Sequence, residues 1–281
     1  MPEALAKSAR PWALRSLPSF PAVASRIIAL VSSDEVSVKE VGRIIKLDAT
    51  FTAEVLRVAN SALFGVPREV RTVAAATSLL GLERIKAIAT LVAVQSMVKS
   101  VLRMEVFRRF WEHSLVTAIL AEETARSAGG GSPEGAYTAG LLHNLGALGL
   151  MAAYPDEYAR MLEVSREHQF DLLHTELDLF EIDHCAAGAY LAREWNFPDE
   201  IATAIATHHD EPTAGDKSVC GVVQVSWRLA DVLGYGAFPM EKPWVYDELV
   251  ALAPGLSHSW LGAGAEEATA AIASWLRDFH L

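Results

Sequence analysis

Apolar residues in this chain return at every third or fourth position, as in Val23, Ile27, Ile28 and Val31. That period places them on one face of a helix, so each segment meets its own backbone hydrogen bonds and the core is built from helix faces. Val41, Ile44 and Ile45 form a second stripe, and Phe51, Val55, Leu56 and Val58 a third. Val219, Val222, Val223 and Val225 would suit a strand, but no partner strand accompanies them, and the run reads as a buried helix. The expectation is an all-α protein.

Local punctuation divides the helices. Ser37 and Glu40 have the spacing of a capping box, Asp48 can cap the next helix, and Gly65 with Pro67 ends it. Ser132-Pro133 is a start signal, because proline in the first turn loses no needed hydrogen bond, and Pro198-Asp199-Glu200 repeats it. Helices are expected over about 73–80, 83–101, 105–127, 133–151, 156–168, 183–195, 199–208, 218–233 and 265–279. Gly129-Gly130-Gly131-Ser132 reads as a turn. It is no phosphate-binding loop, since no Gly-Lys-Ser/Thr follows and no strand precedes it.

Composition narrows the function. With 281 residues, 51% of them hydrophobic, the chain can bury one large core or two subdomains that share an interface. Lys and Arg number 24 against 35 Asp and Glu, a formal charge of -11, which argues against nucleic acid or an anionic membrane as partner. Arg108-Arg109 reads as a solvated helix face. Cys185 and Cys220 cannot form a disulfide framework or a cysteine-rich zinc site. The N-terminal residues lack a secretory apolar stretch, and Ala87–Val98 and Leu141–Tyr154 are short and interrupted by polar residues. A soluble cytoplasmic protein is expected.

The chemistry-bearing residues are mostly histidines. They lie in Glu112-His113, His143-Asn144, Asp183-His184-Cys185 and His208-His209-Asp210, joined by Ala230-Asp231. Neutral imidazoles suit divalent transition ions, and an Asp supplies negative charge. Each segment sits on or at the end of an expected helix, from which side chains can converge in a bundle core. Plainer roles exist for each. Asn144 can hydrogen-bond His143 or a helix carbonyl, His208-His209 can be an exposed helix end, and His184 and Cys185, as neighbours on a helix, point about 100° apart.

Order and context add a resemblance. Leu17-Pro18-Ser19-Phe20-Pro21, Asn60-Ser61-Ala62-Leu63-Phe64-Gly65, Leu79-Leu80-Gly81-Leu82-Glu83-Arg84, Trp111-Glu112-His113-Ser114 and Leu141-Leu142-His143-Asn144-Leu145-Gly146 resemble the motifs of the HDOD family of bacterial signalling proteins. The resemblance covers about residues 14–211. It implies an N-terminal helical bundle over about 14–102, packed on a degenerate HD-like half over about 103–211, with 212–281 as a helical extension completing that half. The second half also resembles the HD-GYP phosphodiesterases, which hydrolyse cyclic di-GMP at a multi-metal centre. In that comparison His113, His143, His184, His208, His209 and Asp231 fall at ligand positions. Asn144 and Ala147 stand where an Asp and a Lys are expected, and no Gly-Tyr-Pro follows His208-His209; Gly234-Tyr235-Gly236 lies too far along.

The Asn has a physical cost. A bridging carboxylate offers anionic oxygens to two cations about 3.5–4 Å apart, whereas an amide offers one neutral oxygen. The reading is a non-catalytic signalling module acting through protein partners in trans, with no required cofactor and with donors for one divalent transition metal. Trp12, Trp111, Trp244, Trp260 and Trp275 are the aromatic residues open to partner contact. The alternatives are a divergent metal-dependent phosphohydrolase of cyclic di-GMP or another nucleotide phosphodiester, and a sensor that binds a nucleotide without hydrolysing it.

Overall fold

A computed structural model describes residues 10–17, 38–46, 49–61, 64, 66, 69–98, 104–129, 132–238, 243–253 and 255–277. The described residues are helical throughout, with no strand among them. In chain order the helices are α1 Val38–Ile45, α2 Ala49–Ala59, α3 Val73–Leu80, α4 Leu82–Val98, α5 Glu105–Ala128, α6 Pro133–Leu142 and α7 Leu145–Ala153. They continue as α8 Pro155–His168, α9 Leu172–Phe180, α10 His184–Glu194, α11 Asp199–Thr207, α12 Val219–Ala230, α13 Tyr246–Leu252 and α14 Ala265–Leu276.

Short polar side chains start these helices. Ser132 accepts from the Gly135 N–H at 3.1 Å with Pro133 in the first turn, as its sequence anticipates. Thr72, Asp183 and Ser218 do the same for α3, α10 and α12. Asn60 ties a helix junction: its amide donates to the Leu56 and Val70 carbonyls and accepts from the Val70 N–H, all within 2.8 Å. The Ser37 and Asp48 caps lie outside the described residues.

The expected helix over 133–151 is two helices, broken at His143-Asn144 where Asn144 adopts φ -93, ψ 18. Two others, α9 and α13, were not anticipated. The expected 218–233 helix gives way after Ala230 to a wider π-type turn, Asp231–Tyr235, with Gly234 at φ 91.

Helix α5 is the axis. It packs along α6 and α12, while α10 packs on α7 and α11, and α4 packs on α2, α3 and α6. One hydrophobic core runs from Leu14 through Val55 and Ile88 to Phe110, Leu148 and Ile205. A second cluster joins Val116 and Leu120 of α5 and Leu229 of α12 to Leu249, Leu256 and Ile272 from the C-terminal stretch. Across the α4–α5 contact, Arg84 and Arg126 both donate to the carboxylate of Glu122, an ion triad with Arg84 and Glu122 largely buried. No described helix is long and apolar enough to cross a membrane.

Candidate metal centre

Glycine sets how closely the site's helices meet. A Cβ on Gly146 would lie 2.0 Å from the His184 carbonyl oxygen and 2.5 Å from the Gly188 nitrogen, well inside contact distance. Gly188 in turn leaves no room for a Cβ against Ile205, at 2.7 Å. The first turns of α7 and α10 therefore touch through backbone, which brings the α6–α7 break against His184.

That break supplies His143. The remaining histidines come from the middle of α5 (His113), the first residue of α10 (His184) and the end of α11 (His208 and His209), with Asp231 just past α12. All are brought together. His113, His143, His184 and His208 are each at most 1% exposed. Ring centroids step from His113 to His143 at 5.2 Å, from His143 to His208 at 5.0 Å, and from His208 to His184 at 5.2 Å and His209 at 4.5 Å. The reading of His208-His209 as an exposed helix end is therefore wrong for His208. Its helix end is buried, and Arg228 donates to the His208 and His209 carbonyls at 3.3 and 2.9 Å, placing a cation at the C-terminal dipole.

The imidazoles are oriented from behind. Nδ1 of His113 meets the Tyr235 carbonyl at 3.0 Å, that of His143 the Gly140 carbonyl at 2.6 Å, and that of His208 the Ile205 carbonyl at 2.7 Å. A carbonyl only accepts, so each Nδ1 carries the proton and each Nε2 keeps its lone pair, the tautomer a metal ligand needs. His184 uses a carboxylate instead: its Nδ1 and its backbone N–H both lie 2.7 Å from Oε2 of fully buried Glu176, whose other oxygen accepts from the Tyr158 hydroxyl. Glu176 was not anticipated, since it sits on the unanticipated helix α9. The segment containing Gly234-Tyr235, set aside on sequence distance, returns to the site through the Tyr235 carbonyl.

Electrostatics follow from burial. It lowers His113 to about 4 and His209 to about 2, and it pushes His143 and His208 well below their ordinary value, helped by neighbouring histidines. At His184 burial also opposes charge, but Glu176 and Cys185 outweigh it and raise the imidazole well above its usual range. Burial raises Asp231 to about 8. Asp231 Oδ1 lies 3.3 Å from His113 Nδ1. That approach is no ion pair, because burial drives both groups to their neutral forms and Oδ1 makes no hydrogen bond.

Several polar atoms here have no partner among the described residues. His143 Nε2, both amide atoms of Asn144 and Asp231 Oδ1 are buried and unpaired, although buried polar groups are normally satisfied. Asn144 thus lacks the hydrogen bond a plain packing role would give it. Ala147 is fully buried among apolar side chains, so no cation stands at that position. The donor set fits one divalent transition ion. The Nε2 atoms of His184 and His208 are 3.3 Å apart, and two imidazoles on one tetrahedral zinc are separated by about 3.3 Å. His184, Cys185, His208 and His209 have ligand atoms within 4.8 Å of one another. Cys185 approaches His208 Nδ1 at 3.8 Å, so its imidazole partner across the site comes from another helix as well as from its neighbour.

Among the aromatic residues open to partners, Trp111 is fully buried in the core and unavailable. Trp260 and Trp275 pack on each other at 5.1 Å.

Comparison with known proteins places this geometry. The fold is similar to an HDOD domain protein of unknown function from Geobacter sulfurreducens, with a TM-score of 0.74 and 23% identity over 91% of this chain and 92% of that one. It is also similar to a protein provisionally named a phosphohydrolase from Shewanella amazonensis SB2B, with a TM-score of 0.73 and 24% identity over 95% and 97% of the two chains. A provisionally named signal transduction protein from Marinobacter aquaeolei VT8 gives a TM-score of 0.69 and 24% identity, over 92% of this chain and 60% of that one. An uncharacterized protein of Treponema pallidum (strain Nichols) is 24% identical over 202 residues, which is 72% of this chain and 39% of the relative's length. The HDOD domain family profile matches residues 17–211, more than two thirds of the sequence. The chain belongs to the HDOD family.

Proposed function

We propose that this chain is a non-catalytic signalling module that acts through protein partners in trans, and that its histidine centre is a degenerate HD-type site able to hold one divalent transition ion. Burial carries this reading. His113, His143, His184 and His208 expose 1% or less of their surface, whereas a hydrolase must present its metal to a phosphodiester and to water. Asn144 supports it, since a neutral amide cannot bridge two cations. So does the filled apolar environment of Ala147, where nothing could hold a phosphate.

In this reading, residues 14–102 form the N-terminal bundle, 103–211 the HD-like half, and 212–281 complete it by supplying α12, delivering Asp231 and covering α5. Helix α9 links the centre to the outside. Its inner face holds Glu176 against His184, while Leu179 is exposed beside Phe170 and Val164, an apolar surface of the type that partner proteins cover. The Marinobacter relative is named for signal transduction, in keeping with the proposal.

A metal-dependent phosphohydrolase is the second reading, favoured by the unpaired His143 Nε2 and Asp231 Oδ1, which are donors left over for an ion. The test is turnover. Protein purified without chelator and supplied with Mn, Fe or Zn is assayed against cyclic di-GMP and a chromogenic phosphodiester, with metal content measured in parallel. One ion or none per chain and no turnover above buffer are expected. Turnover that disappears in His208→Ala would overturn the proposal, and tight nucleotide binding without turnover would select the sensor.

A further inference from the structure

The centre contains one donor that the histidine pattern did not call for. Cys185 is buried, follows His184 in the first turn of α10, and sits within 4.8 Å of the ligand atoms of His184, His208 and His209. We propose that the resident ion is thiophilic and that His184, Cys185, His208 and His209 hold it, with the Cys185 thiolate as its anionic ligand. The assignment rests on the reading of the site as a single-metal, non-hydrolytic centre.

Charge and geometry both argue for it. A divalent ion among neutral imidazoles in a dry core needs nearby negative charge. Asn144 supplies none, and Asp231 lies on the far side of the cluster beside His113. One thiolate, together with the Glu176 carboxylate behind His184, brings a divalent ion to neutrality. The His184–His208 separation of 3.3 Å already suits one shared ion. Zinc–nitrogen and zinc–sulfur bond lengths give a tetrahedral sulfur–nitrogen separation of about 3.6 Å, and Cys185 Sγ already lies within 4.8 Å of the imidazole ligand atoms, a gap of at most about 1.2 Å. A soft sulfur ligand selects zinc, cobalt or cadmium over magnesium, calcium and manganese. On binding, the thiol S–H bond breaks, its proton goes to solvent, and the sulfur lone pair bonds the metal. No electrons change hands.

The experiment is cobalt substitution of the full chain after removal of bound metal. A thiolate-to-cobalt charge-transfer band in the near ultraviolet is expected. It should vanish in Cys185→Ser, with cobalt affinity falling at least about tenfold, and persist in Cys220→Ser. Bound cobalt without that band, or a band unchanged in Cys185→Ser, would overturn the assignment. Should Cys185→Ser fail to fold, X-ray absorption on the unmodified zinc-loaded chain decides. A sulfur scatterer at about 2.3 Å supports Cys185 once repeated in Cys220→Ser, and a shell of nitrogen and oxygen alone rejects it. Phosphodiester turnover by the loaded chain is a separate outcome: it would sink the non-hydrolytic reading and leave the ligand assignment standing.

Discussion

Nε2 of His184 faces Nε2 of His208 at 3.3 Å. Their Nδ1 atoms are committed to Glu176 and to the Ile205 carbonyl, so two lone pairs would meet unless a cation lies between them. In the metal-free protein that cation is a proton, kept on His184 because Glu176 and Cys185 outweigh the effect of burial. A metal ion must displace it.

Metal binding should therefore release protons. Cys185 gives up a second on becoming a thiolate ligand, and Asp231, held up to about 8, a third if it joins the ion. Apparent affinity should rise with pH by about two to three log units per pH unit between about 6 and 8. Calorimetry in two buffers of different ionisation enthalpy counts the protons, and a buffer-independent heat would contradict the arrangement.

Stability of the metal-free chain should peak near about pH 6.5. His113 at about 4 and His209 at about 2, with His143 and His208 also lowered, stay neutral in the fold while the unfolded chain binds protons below its ordinary histidine value of about 6.5. Stability is thus lost as pH falls from about 6.5 toward 4, and His113 alone accounts for on the order of 3 kcal/mol of it. On the alkaline side the sign reverses. The fold keeps protons on His184 and Asp231 that the unfolded chain has released, so stability declines as pH rises toward about 8. Denaturant melts across pH should trace both limbs, and added zinc should remove the alkaline one.

Asn144→Asp should be destabilising without metal and stabilising with it. The substitution puts a carboxyl where both amide atoms are already unpaired, at a cost of about 1–3 kcal/mol in the metal-free protein. With manganese or iron present, a larger rise in melting temperature than in the parent chain is expected, together with higher ion content by elemental analysis. Equal metal content in the two chains would speak against Asn144 as the missing ligand.

Gly146→Ala should cost about 3 kcal/mol or more and weaken metal binding, because the added methyl meets the His184 carbonyl at 2.0 Å and must push α7 off α10. Ala147→Gly, one position on, is the control: its cost should be that of a helical glycine and a small cavity, with metal affinity kept. Thermal melts with zinc titrations separate the two.

Glu122→Ala should lower stability by about 3 kcal/mol by stranding Arg84 at the α4–α5 contact. The pair Arg84→Met with Glu122→Leu should recover most of that loss, since a buried ion pair offers little over packed apolar groups. A double variant as unstable as Glu122→Ala would show that charge itself is needed there.

Much of this was legible in the sequence for physical reasons. Helical period and caps such as Ser132-Pro133 are local signals, and they located α6 and most long helices. His113, His143, His184, His208, His209 and Asp231 converge, as their placement on helices allowed. What escaped were relations between distant segments. The break at His143-Asn144 lies in an apolar stretch without Pro, and the backbone contact beside it, of Gly146 with His184, is tertiary. Glu176 looked like any surface glutamate on a short segment, and its burial depends on Tyr158 and His184. Tyr235 seemed too far along, but the turn after Ala230 folds its carbonyl back to His113.

Trp227 is wedged among the imidazoles, with ring centroids 4.9 Å from His209, 6.2 Å from His208 and 6.4 Å from His113. The centre therefore carries its own lamp. Indole emission from this position should be quenched when cobalt or copper arrives and should shift when zinc fixes the rings, so occupancy can be followed in real time without a label. The same signal, watched while a partner is added, would report whether docking on the outside is felt at the ion.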